Sequence, residues 1–265
     1  SGCKDPSSEA ACTIGGNIAE NSGGPHCLKY GVTLNHVLAA TVLLPDGEIV
    51  ELGDRDGGMA GYDLLGAFVG SEGCFGVALD ITVRLTRKPA AVRTALADFM
   101  DVADASHATS AIIASGVVPA ALEFMDSGVI RVVEQSIFAA GYPIDAAAIL
   151  LIEVDGTVES TDADMDLVRK LCMECCARSV RVATNETERA RLWQGRKKAF
   201  GAMGRLAPNL AVQDAVIPRT RLAEVLAQIH AIADAHGVTG GNVFHAGDGN
   251  LHPNISYDAG DPDQV

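Results

Sequence analysis

Basic residues are what this sequence most lacks for its length. Across 265 residues, 20 Lys and Arg stand against 34 Asp and Glu, for a formal charge of −14. Sequence-independent nucleic-acid binding needs clustered cations to neutralise phosphates. No basic stripe is present, so no nucleic-acid partner is expected, and attraction to an anionic lipid surface is disfavoured for the same reason. Long hydrophobic runs are missing too. Nothing approaches the roughly 18 consecutive apolar residues of a membrane helix, so direct membrane insertion is not expected. Near the start, Lys4, Asp5 and Glu9 interrupt the only stretch a secretory leader would occupy. The seven cysteines are odd in number and follow no regular frame, the pattern of reduced thiols in a cytoplasmic protein. Internal repeats and low-complexity tracts are also lacking.

What remains is globular composition, with 48% hydrophobic and 20% charged residues and length enough for one large domain or two ordinary ones. Two apolar runs between Val37 and Leu52 flank Pro45-Asp46-Gly47, a β-hairpin signal. Tyr62–Val69 reads as a short helix, and Leu79, Ile81, Val83 and Leu85 alternate with polar residues as in a half-buried strand. Lys88-Pro89 breaks that pattern and marks a boundary, giving domains 1–88 and 89–265. Beyond it strands are expected at 94–99, 121–125, 148–153, 179–183 and 211–217. Helices are expected at 104–115, 129–139, 162–177 and 222–235. Asn185 with Glu188 starts a further helix running past Phe200 in the manner of a capping box, and 242–257 reads as a strand interrupted by a glycine loop. The class is α+β.

Four features carry chemistry. Residues 12–24 form a small-residue loop whose Gly15, Gly16, Gly23 and Gly24 leave backbone amides open to a ligand, with Asn17 and Asn21 adding short polar groups. A pyrophosphate or a flavin edge would fit such a loop, and so would an irregular surface turn. The second loop, Gly70–Val77, joins a helix to a strand, the reverse of the order in a Rossmann fingerprint. The third, His245-Ala246-Gly247-Asp248-Gly249-Asn250-Leu251-His252, puts two histidines seven residues apart. A straight strand would point them to opposite faces, so only a chain folding back through Gly247 and Gly249 brings both imidazoles together. Two such ligands suit zinc, iron or manganese and need a third from elsewhere, and two unrelated loop histidines fit the same motif equally well. In the fourth, Trp193–Phe200, Arg196 shares a helix side with Trp193 and Phe200. A guanidinium there needs an anion: either a substrate carboxylate gripped by its fork or an internal carboxylate. Cys172, Cys175 and Cys176 lie on an expected helix and read as packing, as does the His26-Cys27 pair.

In order and spacing, these segments resemble the FAD-linked oxidases with a PCMH-type FAD-binding domain, in particular the glycolate oxidase flavin-subunit branch beside the D-lactate and D-2-hydroxyglutarate dehydrogenases. The resemblance runs through Asp5-Pro6-Ser7-Ser8, Ile14–Gly24, His26–Gly31, Gly70–Val77, Ala121–Asp126 and Asn242–Pro253. It implies the C-terminal part of an FAD-binding domain followed by an α+β cap domain that meets substrate. Thr13, Gly15, Gly16, Asn17, Gly24, Glu72, Gly73, Gly76 and Val77 would then contact FAD. His245 and His252 would bind a divalent metal, usually zinc in relatives. Arg196 would bind the substrate carboxylate, and Asn254 would make a polar substrate contact. Phe200 and Val212 occupy positions where the hydroxyglutarate branch has a threonine and a lysine, which favours a small 2-hydroxy acid such as glycolate or D-lactate. The resemblance also implies an Fe–S subunit and a second flavin-domain subunit as partners, with membrane association through them. Two family segments are not among these residues: an upstream glycine-rich loop, and a downstream Glu-His-Gly supplying the third metal ligand and the catalytic base. The expectation is therefore a fragment of a longer chain, inactive alone. A metal-dependent hydrolase built on His245, His252 and Asp248, and a non-catalytic assembly subunit of a redox complex, are the competing readings.

Overall fold

In the computed structural model, which describes residues 11–56 and 61–265, the chain divides into two units, 1–88 and 89–265. The motif Asp5-Pro6-Ser7-Ser8 lies outside the described residues. The first unit carries α1 (Ile14–Ala19), α2 (Cys27–Tyr30), β1 (Val37–Leu43), β2 (Ile49–Gly53), α3 (Leu64–Phe68) and β3 (Val77–Val83). Its sheet has the order β2-β1-β3 with antiparallel pairs, and the β1–β2 hairpin turns through Pro45-Asp46-Gly47 as the turn residues require. Ile18, Val42, Leu65 and Phe68 form its core.

One expectation is corrected here. Residues 12–24 are not all loop: Thr13 is the N-cap of α1, its hydroxyl accepting from the Gly16 amide at 3.0 Å. Glycines disfavour helix, but the turn is held by tertiary bonds, with the Gly70 amide donating to the Ile18 carbonyl at 2.8 Å and the Glu72 amide to Ala19 at 2.9 Å.

The second unit runs β4 (Ala91–Phe99), α4 (Val102–Ala114), β5 (Ala121–Asp126), α5 (Ser127–Glu134), β6 (Ala148–Gly156), α6 (Val158–Glu174), β7 (Ser179–Val182), α7 (Glu186–Lys197) and α8 (Ala199–Met203). It continues with β8 (Asn209–Val212), β9 (Ala215–Val216), α9 (Leu222–Ala235), β10 (Thr239–His245), β11 (Asn250–Leu251) and β12 (Pro253–Tyr257). The sheet order is β7-β4-β6-β5-β10-β11-β9, with β12 pairing β10 and β8, all antiparallel. Helices cover both faces. α4, α6 and α9 pack on Leu150, Ile152, Phe124 and Phe244. α5, α7 and α8 pack on Ile149, Leu151, Met125 and Val243. Burial on both faces is why β6 reads as an unbroken apolar run, not an alternating one.

Three boundaries differ from expectation. The helix after Val129 stops at Glu134, whose carboxylate accepts from the amides of Ala140, Gly141 and Tyr142 and so organises a loop. The helix started by Asn185 breaks at Lys198. Residues 211–217 contribute to two short strands because β8 pairs with β12 while β9 pairs with β11.

Candidate functional site

In the first unit, the two glycine loops meet. Gly15, Ile18 and Ala19 from α1, with Phe68, Ser71, Gly73, Gly76, Val77 and Ala78, line a cleft of about 200 Å³. Of the proposed cofactor residues, Gly15, Gly73, Gly76 and Val77 are therefore brought together. Thr13 caps α1, Asn17 is buried, the Gly24 amide points to the Cys27 sulfur at 2.9 Å, and Glu72 sits at a φ of +53°. Gly76 has a φ of +157°, and a Cβ there would lie 2.6 Å from the Leu43 carbonyl, so no side chain fits. The Ser71 hydroxyl is buried without a hydrogen-bond partner among the described residues, a polar group left for a ligand.

The second site lies on the face of the large sheet beneath α7. β5 and β10 pair so that Glu123 stands directly opposite His245. α7 lies over them and lowers Arg196 onto Glu123; Arg196 is 1% exposed and Glu123 is fully buried. One carboxylate oxygen, Oε2, takes Nε of Arg196 at 2.7 Å and lies 2.6 Å from Nη2. The other, Oε1, takes Nδ1 of His245 at 2.8 Å. Burial would push the Glu123 carboxyl up, but the Arg196 and His245 charges and hydrogen bonds outweigh it and hold it below the ordinary carboxylate range. Nη1 and Nη2 of Arg196 are both buried without a hydrogen-bond partner among the described residues, although Nη2 lies in ion-pair contact with Oε2.

β10 ends at His245, the chain turns through Gly247 and Gly249, and β11 returns antiparallel, with Asn250 opposite His245. The rings of His245 and His252 are thereby brought to 5.2 Å between centroids, nearly perpendicular at 85°. Nδ1 of His252 lies 3.6 Å from Asp214. Burial, then the charge of His245, lowers the His252 pKa. Asn254 on β12 is buried on the same side. Its Nδ2 donates to the carbonyls of Gly241 and His252 at 3.2 and 2.6 Å, and Oδ1 has no hydrogen-bond partner among the described residues. The Phe200 ring stands 6.2 Å from that of His252, and Val212 is opposite Asn254 in the β8–β12 pair.

Arg196, His245, His252 and Asn254 thus converge, and the residue missed from sequence is the one between them, Glu123. Its only signal was a lone carboxylate inside the apolar run Ala121–Met125. Of the two readings offered for Arg196, the internal carboxylate is observed, as Glu123. Among the described residues no group of three or more His, Cys, Asp or Glu side chains could hold a metal. A hydrolase centre of His245, His252 and Asp248 is therefore not assembled. Two imidazoles do fit a metal needing one more ligand, since a carboxylate on the second nitrogen of a ligating histidine is a recurrent metal-site arrangement.

Residues 88–265 match the family described as FAD linked oxidases, C-terminal domain. The chain belongs to the FAD-linked oxidases. Residues 2–53 also match the FAD binding domain family. Among curated relatives of this FAD-linked oxidase, the glycolate oxidase subunit GlcD of Escherichia coli is 47% identical over 258 residues, covering 97% of this chain and 52% of the relative. The subunit of the same name from Bacillus subtilis is 40% identical, covering 98% of this chain and 56% of the relative. A mitochondrial D-lactate dehydrogenase [cytochrome] of Arabidopsis thaliana is 30% identical, covering 95% and 44%. The chain spans about half the length of the glycolate oxidase subunits it matches. Among solved structures, alkyldihydroxyacetonephosphate synthase has the same fold, with a TM-score of 0.77 at 18% identity, covering 98% of this chain and 54% of that one. p-Cresol methylhydroxylase follows at 0.73 and 14% identity, covering 97% and 58%. No helix among the described residues is long and apolar enough to cross a membrane.

Proposed function

We propose that the protein carrying this chain oxidises a small 2-hydroxy acid, glycolate or D-lactate, to the 2-oxo acid with FAD as oxidant. The observation that supports this most is Arg196: a buried guanidinium with Nη1 uncommitted, beside two converged imidazoles. In this reading Nη1 binds the substrate carboxylate by a charge-assisted hydrogen bond, and the free Oδ1 of Asn254 accepts from a substrate hydroxyl. His245 and His252 hold a divalent metal, zinc by family resemblance. Such a cation lowers the pKa of a bound hydroxyl. The cleft between α1 and the 70–78 loop takes part of the flavin, the Ser71 hydroxyl serving as a polar contact. Bound FAD supplies the hydride acceptor. Phe200 and Val212 close the side where a second substrate carboxylate would need a partner. Residues 1–88 serve as part of the FAD-binding domain and 89–265 as the substrate domain.

The third metal ligand and the base come, by resemblance, from a Glu-His-Gly segment outside these residues. Partner subunits, one with an Fe–S cluster and one with a second flavin domain, would carry electrons onward from a cytoplasmic complex docked at a membrane. The test uses the full-length protein. A yellow flavoprotein with bound divalent metal that reduces a dye on glycolate or D-lactate is the expected result. A colourless protein, or one indifferent to both acids, overturns the reading in favour of a non-catalytic subunit.

A further inference from the structure

The buried acids on the site face of the sheet do not all serve one purpose. Glu153 on β6 accepts from α7 and from β4: Arg189 donates through Nε at 2.9 Å, the Trp193 indole N–H at 2.7 Å and the Thr94 hydroxyl at 2.6 Å. Those contacts bind a helix to a sheet. Glu123, on the neighbouring strand, is divided between two different elements of the site, the guanidinium on α7 and the imidazole at the end of β10.

We propose that Glu123 is a positioning residue that couples the carboxylate-binding arm to the metal-binding arm and selects the tautomer of His245. The inference rests on the proposed function for the roles of Arg196 and His245, but its geometry does not. An ionised carboxylate only accepts hydrogen bonds, so the 2.8 Å contact makes Nδ1 of His245 the donor. The neutral imidazole then carries its lone pair on Nε2, the nitrogen that must be free to ligate. On the other side, Nε and Nη2 of Arg196 both lie against Oε2. The guanidinium edge formed by Nε and Nη2 therefore faces Oε2, and Nη1, like Nη2, has no hydrogen-bond partner among the described residues. A single buried side chain therefore sets both the angle at which Nη1 meets a ligand and the nitrogen that His245 presents. Glutamine cannot copy this, because its amide has one accepting and one donating end. If its oxygen stays on Arg196, its NH₂ faces His245 and makes Nδ1 the acceptor.

The experiment compares Glu123→Gln with Glu153→Gln in the full-length protein. Glu153→Gln perturbs the same helix without touching either arm. In metal-free protein with histidines labelled at both ring nitrogens, the His245 signals, assigned by loss in His245→Asn, are expected to report a proton on Nδ1 in wild type and in Glu153→Gln. In Glu123→Gln that proton should move to Nε2. Affinity for Zn²⁺, read by chelator competition, should weaken about 10–100-fold in Glu123→Gln, the usual cost of losing a carboxylate behind a ligating histidine. With glycolate or D-lactate, KM should rise and kcat fall together, whereas Glu153→Gln changes neither by more than about twofold. A wild-type His245 protonated on Nε2 overturns the proposal, as does an unchanged tautomer in Glu123→Gln or equal Zn²⁺ weakening in both variants. A wild-type enzyme inert to both acids would instead defeat the proposed function, and the tautomer would still decide the role of Glu123.

Discussion

Replacing Gly249 by alanine tests how the two histidines are brought together. Gly249 sits in the turn between them at a φ of +78°, and an added Cβ would lie 2.3 Å from the Ile217 carbonyl oxygen. The left-handed conformation alone costs an L-residue about 1–2 kcal/mol. The clash is with backbone, not a side-chain tip, so relief requires the Ile217 segment to move. That movement breaks the bond from the Ile217 amide to the Gly249 carbonyl, 3.0 Å long, which begins the β9–β11 pairing. Its loss adds about 1 kcal/mol, for a total of about 2–3 kcal/mol. Gly116 is the internal control: its φ is +89°, but nothing lies within 4 Å of its would-be Cβ, so Gly116→Ala carries only the conformational cost. Urea unfolding followed by the fluorescence of Trp193, the single tryptophan, buried in the same unit, reads both variants. Gly249→Ala should be the less stable of the two by about 1 kcal/mol and should bind Zn²⁺ more weakly. Equal destabilisation would mean that the turn yields without breaking the β9–β11 pair, and the account of how His245 and His252 converge would be wrong.

Three further outcomes follow from the same geometry. In the full-length protein, Arg196→Lys should lower kcat/KM for glycolate about 10–100-fold, since a charged hydrogen bond of about 1.5–3 kcal/mol is lost and a point charge cannot meet Glu123 and a carboxylate together. Unchanged steady-state kinetics would remove Arg196 from the site. The double variant Phe200→Thr with Val212→Lys should raise kcat/KM for a 2-hydroxy dicarboxylate relative to glycolate by about tenfold or more, measured by dye reduction; no shift would mean these positions do not face the substrate. Burial pushes the Cys172 thiol from 9.0 up to about 12. A pKa raised on folding means that the contribution is complete below about pH 9 and is lost as pH climbs towards 12, at no more than about 1.4 kcal/mol per pH unit. Cys172→Ala should therefore flatten the decline in urea stability between about pH 8.5 and 10, before the buried Tyr142 hydroxyl, also shifted upward, contributes.

Much of the fold was legible in the residues because its signals are local. The Pro45-Asp46-Gly47 hairpin, the helix Leu222–Ala235 and the apolar strand from Ala148 each follow from spacing or turn chemistry within about a dozen residues. The convergence of His245 and His252 was legible only as one of two readings, because Gly247 and Gly249 permit a chain that folds back without requiring it. The burial of Arg196 was legible from its spacing to Trp193, but Phe200 lies on the next helix, since the chain breaks at Lys198. The helical turn at Ile14–Ala19 was not legible, since its glycines argue against helix and hydrogen bonds from Gly70 and Glu72 hold it.

By itself, then, the sequence determined the α+β class and the elements that local patterning specifies, and it permitted the fold-back of the 245–252 turn that the structure shows. The tertiary structure alone decided what those residues face. Glu123 is 73 residues from Arg196 and 122 from His245, and no local pattern links the three. They meet because β5 and β10 pair in one register and α7 brings Arg196 onto Glu123. Buried there, the Glu123 carboxylate cannot be left to water and takes its partners from the guanidinium and the imidazole.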